Sequence, residues 1–241
     1  MTPVFVITTL VVVLYCLWVR RATWWSRWEA AATLAIAMEG SALLLFTPWA
    51  GTELGPTLHS WLGLWNVQQI IGFLCLIAGV LANIYHMLVR LADPAQVLPI
   101  MRSHLLMPVG LGVGVVLVAF VKTDRGSEPD IFATLTGDRW LTLLEVAASA
   151  LVLFLSGYVG RLLLTLRRDP RAGATLTLYV VAMVLAVAAC LVAVVSIVTG
   201  CYCGPLVWAC LCLSVATFAY GLARSWQAKT AWFSPNPSAP R

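Results

Sequence analysis

Long uninterrupted apolar runs, separated by short polar and basic stretches, dominate the chain. Continuous runs predict helices, because the strands of a membrane barrel would alternate apolar and polar side chains. A helix that crosses a bilayer needs about 20 apolar residues, within a range of about 17–25. Seven runs qualify: Pro3 to Val19, Ala30 to Trp49, Val67 to Val89, His104 to Val121, Trp140 to Leu164, Ala174 to Val198 and Gly204 to Ala223. The fourth opens on a His and soon meets Pro108, so its start is expected at His104 or a few residues later; Pro is tolerated in a first helical turn. The pattern predicts an all-α polytopic transmembrane helical bundle over residues 1–224. A flexible cytoplasmic tail follows over 225–241, ending Ser-Pro-Asn-Pro-Ser-Ala-Pro-Arg, the composition of a solvated terminus.

Composition agrees. Hydrophobic residues make up 61% of the 241 positions and charged residues only 10%, against about 25% charged in an ordinary soluble domain. In hydrocarbon the backbone must bond to itself, which a helix does within one segment. No large soluble domain fits between the runs.

The net charge of +5 does not indicate nucleic acid, because the basic residues are spread over short loops. With the loops assigned alternately to two sides, twelve of the fifteen Lys and Arg fall on one side: Arg20, Arg21, Arg27, Arg90, Arg102, Arg161, Arg167, Arg168, Arg171, Arg224, Lys229 and Arg241. Lys122, Arg125 and Arg139 fall on the other. Basic loops stay cytoplasmic, which places the N-terminus outside and the C-terminus inside, in a multi-pass protein of the inner, cytoplasmic membrane. The first run is expected to be an uncleaved span and not a signal: no Lys or Arg precedes Arg20, and bulky Trp18 stands where a cleavage site needs small residues. Tryptophan prefers the membrane–water interface. Trp18, Trp24, Trp25, Trp28, Trp226 and Trp232 fall near the inner surface, and Trp49, Trp61, Trp65, Trp140 and Trp208 near the outer one. The Arg/Trp segment from Arg20 to Glu29 is accordingly read as lying in the inner headgroup layer. The outer loop from Ala50 to Leu64 is read as resting on the surface, and the one from Lys122 to Arg139 as ordering at most a short helix around Ile131 to Leu135.

Candidate chemistry is sparse. Glu39 sits near the middle of the second run, roughly 14 Å from either end at 1.5 Å per residue. A charge there costs at least about 2.5–3.5 kcal/mol, so the carboxyl must be protonated, paired, or facing a polar cavity. It reads either as an ion- or proton-binding group or as a neutral acid bonded to a neighbouring helix. Glu145, about 8 Å inside the fifth run by the same rise, and the deep Asn83 are the other members of a candidate intramembrane ion or proton site. Asn83 is otherwise an inter-helix hydrogen-bonding group, and Gln68 and Gln69 lie close to the outer surface. Cys201 and Cys203, in the tight turn before the last run, are candidates for a disulfide or a thiol cluster, although Cys-x-Cys is not the usual zinc spacing. His86 and His104 share the inner edge without a ligand motif around them, and His59 reads as a solvated loop residue. Gly110 and Gly114, four apart within an apolar run, suit close helix packing, as do Ser156 and Gly160.

Several classes are excluded by residues that are missing. No Lys lies within a run to form a retinal Schiff base, and no His-Glu-x-x-His or phosphate-binding loop occurs. Ser156-Gly157 follows Phe154 and Leu155, so it is not the Gly-x-Ser-Gly of an intramembrane serine protease. The reading is a non-enzyme with no catalytic residue, metal or cofactor, whose partners are the lipid bilayer and either a protein partner or further copies of itself.

The stretch from Ala31 to Leu91 has a helix ending in Thr47-Pro48, a Gly/Pro outer loop and then a long helix. With the Arg-rich inner loops, it resembles uncharacterised seven-span membrane proteins of actinobacteria and their phages, some of them described as transporters. The central position of Glu39 makes the leading reading a small transporter-like or channel-like protein using an intramembrane carboxylate. The alternative is a non-transporting binding or regulatory subunit, such as a phage immunity or partner-anchoring protein.

Overall fold

A computed structural model of the chain describes residues 2–123, 126–128, 130, 138–167 and 173–233. Every regular element among them is helical: α1 (Thr2–Val19), α2 (Ala30–Phe46), α3 (Pro48–Glu53), α4 (Gly55–Leu62), α5 (Val67–Leu91), α6 (Pro94–Ile100), α7 (Met107–Lys122), α8 (Arg139–Leu166), α9 (Gly173–Thr199) and α10 (Gly204–Phe233). Five helical stretches among the described residues are long and apolar enough to cross a membrane: Val67–Leu91, Pro94–Lys122, Arg139–Leu166, Thr175–Thr199 and Gly204–Ala231. The other two apolar helices, Pro3–Val19 and Ala30–Phe46, are shorter. Large aliphatic side chains such as Val184, Leu191 and Val198 on α9 point outward, as expected where hydrocarbon replaces water outside the bundle.

The helices pack side by side. α2 lies mainly against α5, α10 against α9 and α1, and α8 against α7 and α9, with α5–α8 contacts joining the halves. Small residues bring α1, α2 and α10 close: Cys16, Ala32, Ala35 and Ala219 are fully buried. Gly40 lies so near Val13 that a Cβ there would sit 2.7 Å from the valine side chain. Gly79 plays that part between α5 and α2, where a Cβ would stand 3.0 Å from both the Ala35 carbonyl and Glu39 Cγ. Such approach is what binds helices in lipid, where neighbouring tails are as apolar as the helices themselves.

Several details differ from the sequence reading. The fourth run begins well before His104: α6 and α7 form one helical stretch, joined by a widened π turn over Met101–Leu106. Pro99 lies inside α6 and Pro108 at the start of α7; proline supplies no N–H and crowds the preceding turn, so the helix widens between them. The second run stops at Phe46, where Thr47 caps α3 by accepting the Ala50 N–H at 3.2 Å and Pro48 opens the new helix. The following loop holds two short helices, and Gly63 ends α4 with φ +69, a conformation that suits glycine. Trp61 and Leu62 there are exposed. α10 continues to Phe233, past Ser225 where composition predicts a flexible tail. Gly110 and Gly114 have open space around them, whereas Gly112 faces Leu151 and Gly160 faces Met183. The expected turn of helix around Ile131 to Leu135 lies outside the described residues.

Candidate functional site

Three basic residues near helix ends, Arg20, Arg90 and Lys229, meet at one end of the bundle. Glu29, immediately before α2, is buried there. Its Oε2 accepts from Arg20 Nη2 at 2.9 Å. Its Oε1 accepts from Arg90 Nη2 at 2.6 Å and from Lys229 Nζ at 2.8 Å. One carboxylate thus ties the ends of α1, α2, α5 and α10. Arg20, also buried, directs Nε to Thr33 Oγ1 and Nη1 to the Leu222 carbonyl. Thr23 completes the cluster by donating to the Arg20 carbonyl at 2.6 Å. Burial pushes the Glu29 carboxyl up, but the Lys229 hydrogen bond and the Arg90 and Arg20 partners outweigh it and hold the group down at about 2. Within the Arg/Trp segment, Trp25 and Trp28 are exposed, while Arg20, Thr23 and Glu29 turn into the bundle.

The far end is held by amides, an indole and a carboxylate. Asn66, in the left-handed conformation at φ 62, donates from Nδ2 to the Gly126 carbonyl and accepts the Glu128 N–H at its Oδ1, each at 3.0 Å. Gln69 donates to the Glu128 carbonyl at 2.8 Å, and buried Trp208 donates to Asp130 Oδ1 at 3.1 Å. Gln68 and Gln69, at the start of α5, are buried, and Gln68 Oε1 has no partner among the described residues.

Between the two ends lies Glu39. It is 8% exposed, and no described residue donates to its carboxyl. It lines a cavity of about 70 Å³ with Asn83 of α5, Ser156 of α8, Tyr179 of α9, and Ser214 and Phe218 of α10. That volume is large enough for a few water molecules, and the amide and hydroxyls on its otherwise largely apolar wall offer them partners. The Ser214 hydroxyl donates to the Ala182 carbonyl at 2.7 Å and remains an acceptor. Gly79 fixes the depth of Glu39 by letting the α5 backbone touch its stem. Asn83 forms no inter-helix hydrogen bond among the described residues; it faces the cavity instead.

Glu145 is not part of this group. It lines a separate cavity of about 130 Å³ with Gln69, Thr123, Ser149 and Ser196 and an apolar wall that includes Phe46, Phe73 and Phe120. The structure therefore joins Glu39 with Asn83 and sets Glu145 apart. Cys201 and Cys203 are free thiols lining neither cavity. Their side chains touch, and the Ser196 hydroxyl pins their turn by donating to the Cys201 carbonyl and accepting the Cys203 N–H.

The histidines diverge. His86 is buried with Nδ1 3.0 Å from the Trp28 carbonyl, and His104 is exposed on the π turn. His59 is not merely solvated: its ring stacks on Trp65 at 3.8 Å between centroids. No group of three or more metal-ligating side chains occurs among the described residues.

Glu29 is the residue that sequence reasoning passed over. A signal existed, since it is one of few acids on the side that receives twelve of the fifteen basic residues, and an acid in such company is expected to be paired. Compared with known proteins, the chain matches no protein family, no curated protein and no solved structure.

Proposed function

We propose that the chain is a seven-span membrane protein, N-terminus outside and C-terminus cytoplasmic, that passes a proton or small cation through its bundle by way of Glu39. The carrying observation is a buried carboxyl without a described partner, on the wall of a cavity between five helices whose otherwise largely apolar lining includes one amide and three hydroxyls. A buried acid in that position is least costly as a neutral group or with a mobile cation beside it, and exchange between those two forms is the chemistry of a relay.

The shorter helices α1 and α2 complete the seven. At 18 and 17 residues they lie within the length that spans hydrocarbon, and both pack alongside long helices of the bundle. The excess of basic residues at the Glu29 end supports a cytoplasmic assignment for that end. The resemblance to uncharacterised seven-span membrane proteins of actinobacteria and their phages, some of them described as transporters, is consistent with this reading.

The test is flux. Proteoliposomes holding the full chain are loaded with dyes selective for protons, sodium or potassium and challenged with the matching gradient. Wild-type vesicles conduct, and Glu39→Gln vesicles fall to the background of protein-free vesicles. Equal flux in the two would remove Glu39 from any pathway. A wild type silent for all three ions would leave the alternative, a non-transporting binding or regulatory subunit.

A further inference from the structure

The Glu29 cluster does not balance its charge. Arg20, Arg90 and Lys229 all reach one carboxylate, so two positive charges are uncompensated among these four groups. The three cations differ in what they have left to give. The Arg20 side chain is 2% exposed and spends its donors on Glu29, Thr33 and the Leu222 carbonyl. Arg90 and Lys229 are 45% and 44% exposed at their side chains, and each makes a single side-chain hydrogen bond among the described residues. A guanidinium carries five N–H donors and an ammonium three, so most of their donors are not taken up by described residues. Both share Glu29 Oε1, which keeps the two cationic heads within bridging reach of one anion. Trp25 and Trp28 stand exposed on the same segment as Glu29, and indole rings settle at the depth of lipid headgroups.

We propose that Arg90 and Lys229 form the binding site for the phosphate of an anionic phospholipid headgroup, with Glu29 holding the two cations in place. The planar arginine fork takes two phosphate oxygens and the lysine takes a third as a point charge. A lipid fits better than free phosphate because the site opens at the rim of an apolar bundle beside exposed indoles. The assignment rests on the membrane placement and not on the Glu39 pathway, so the flux experiment and this one fail independently.

The purified full chain, exposed to equimolar phosphatidylglycerol and phosphatidylcholine of matched acyl chains, is analysed by native mass spectrometry. Wild type retains phosphatidylglycerol over phosphatidylcholine by about ten-fold or more, the scale that two cations near a surface supply. The Arg90→Gln/Lys229→Gln double variant retains the two lipids equally. If the double variant does not fold, the single Lys229→Gln chain serves, with a preference reduced by about half an order of magnitude. Equal retention of both lipids by wild type, or unchanged preference in folded variants, overturns the site. Inorganic phosphate that displaces phosphatidylglycerol completely and raises the melting temperature as much as the lipid does would assign the cations to a free anion and overturn the lipid as occupant.

Discussion

Glu29 and Glu39 stand at the start and in the middle of the same helical segment, and both are buried, yet they are opposite cases. Glu29 has every carboxylate oxygen matched by a cation from another part of the chain. Glu39 has an amide, hydroxyls and space. Depth alone therefore assigns nothing. A matched carboxylate fastens helices together and has no capacity left for a mobile ion, whereas an unmatched one beside a cavity keeps that capacity. The cost of burying each is met in a different way, one by permanent counter-charges and the other by a neutral form or a transient cation.

The largest expected effect separates the two. Glu29→Gln leaves three cations around an amide and is expected to destabilise the folded chain by about 3–5 kcal/mol, the range for breaking a buried ion pair. Glu39→Gln replaces an unmatched acid by an amide of the same shape and is expected to change stability by less than about 1 kcal/mol. Thermal unfolding in detergent, followed by circular dichroism at 222 nm, compares them directly. Similar losses from both would break the distinction.

Acid gives a second route to it. The Glu29 carboxyl is held down at about 2 from its ordinary 4.5. A lowered value means that its contribution is fully present above about 4.5 and is lost as pH falls through about 2. Wild type should lose melting temperature across that window, and Glu29→Gln should lose much less. A wild-type profile flat from neutrality to pH 2, with Glu29→Gln unchanged beside it, would show that the ionised cluster adds nothing to stability.

The long helices were legible because apolar periodicity is local information: the expected starts at Val67 and Gly204 coincide with those of α5 and α10. Glu39 was legible for the same reason, since its distance from the ends of a run is read off the run itself. Glu29 was not, because its partners Arg90 and Lys229 lie 61 and 200 positions away, and no local pattern brings them together. The same limit hid the extension of α10, which carries Lys229 to its partner, and the separation of Glu145 from Glu39. The π turn at Met101–Leu106 was hidden differently: the two prolines were visible, but a proline can begin a helix as readily as distort one.

A packing change sharpens the comparison at intermediate size. Gly79→Val places a branched side chain where even a Cβ meets the Ala35 carbonyl and Glu39 Cγ at 3.0 Å. Overpacking of this kind costs about 1–3 kcal/mol, and α5 must move away from α2. Melting is expected to fall by that amount while the Glu29 cluster persists, and flux is expected to fall although Glu39 is intact. A Gly79→Val chain with wild-type melting and flux would mean that close approach of α5 does not set the position of the carboxyl.

The smallest expected effect concerns the exposed rim of the cluster. Lys229 shares Glu29 Oε1 with Arg90 and is 44% exposed at its side chain, so water screens much of what it contributes. Lys229→Gln still leaves Arg20 on Oε2 and Arg90 on Oε1, one buried and one half-exposed. The expected loss is under about 1 kcal/mol, the ordinary size of a pair open to solvent, and far below that of Glu29→Gln although both remove the Lys229–Glu29 ion pair. The inequality matters more than either figure. If Lys229→Gln proved as damaging as Glu29→Gln, the four groups would act as one indivisible unit. A small loss instead identifies the Arg20–Glu29 pair as the fastening and frees the outer cations for an anion at the membrane surface.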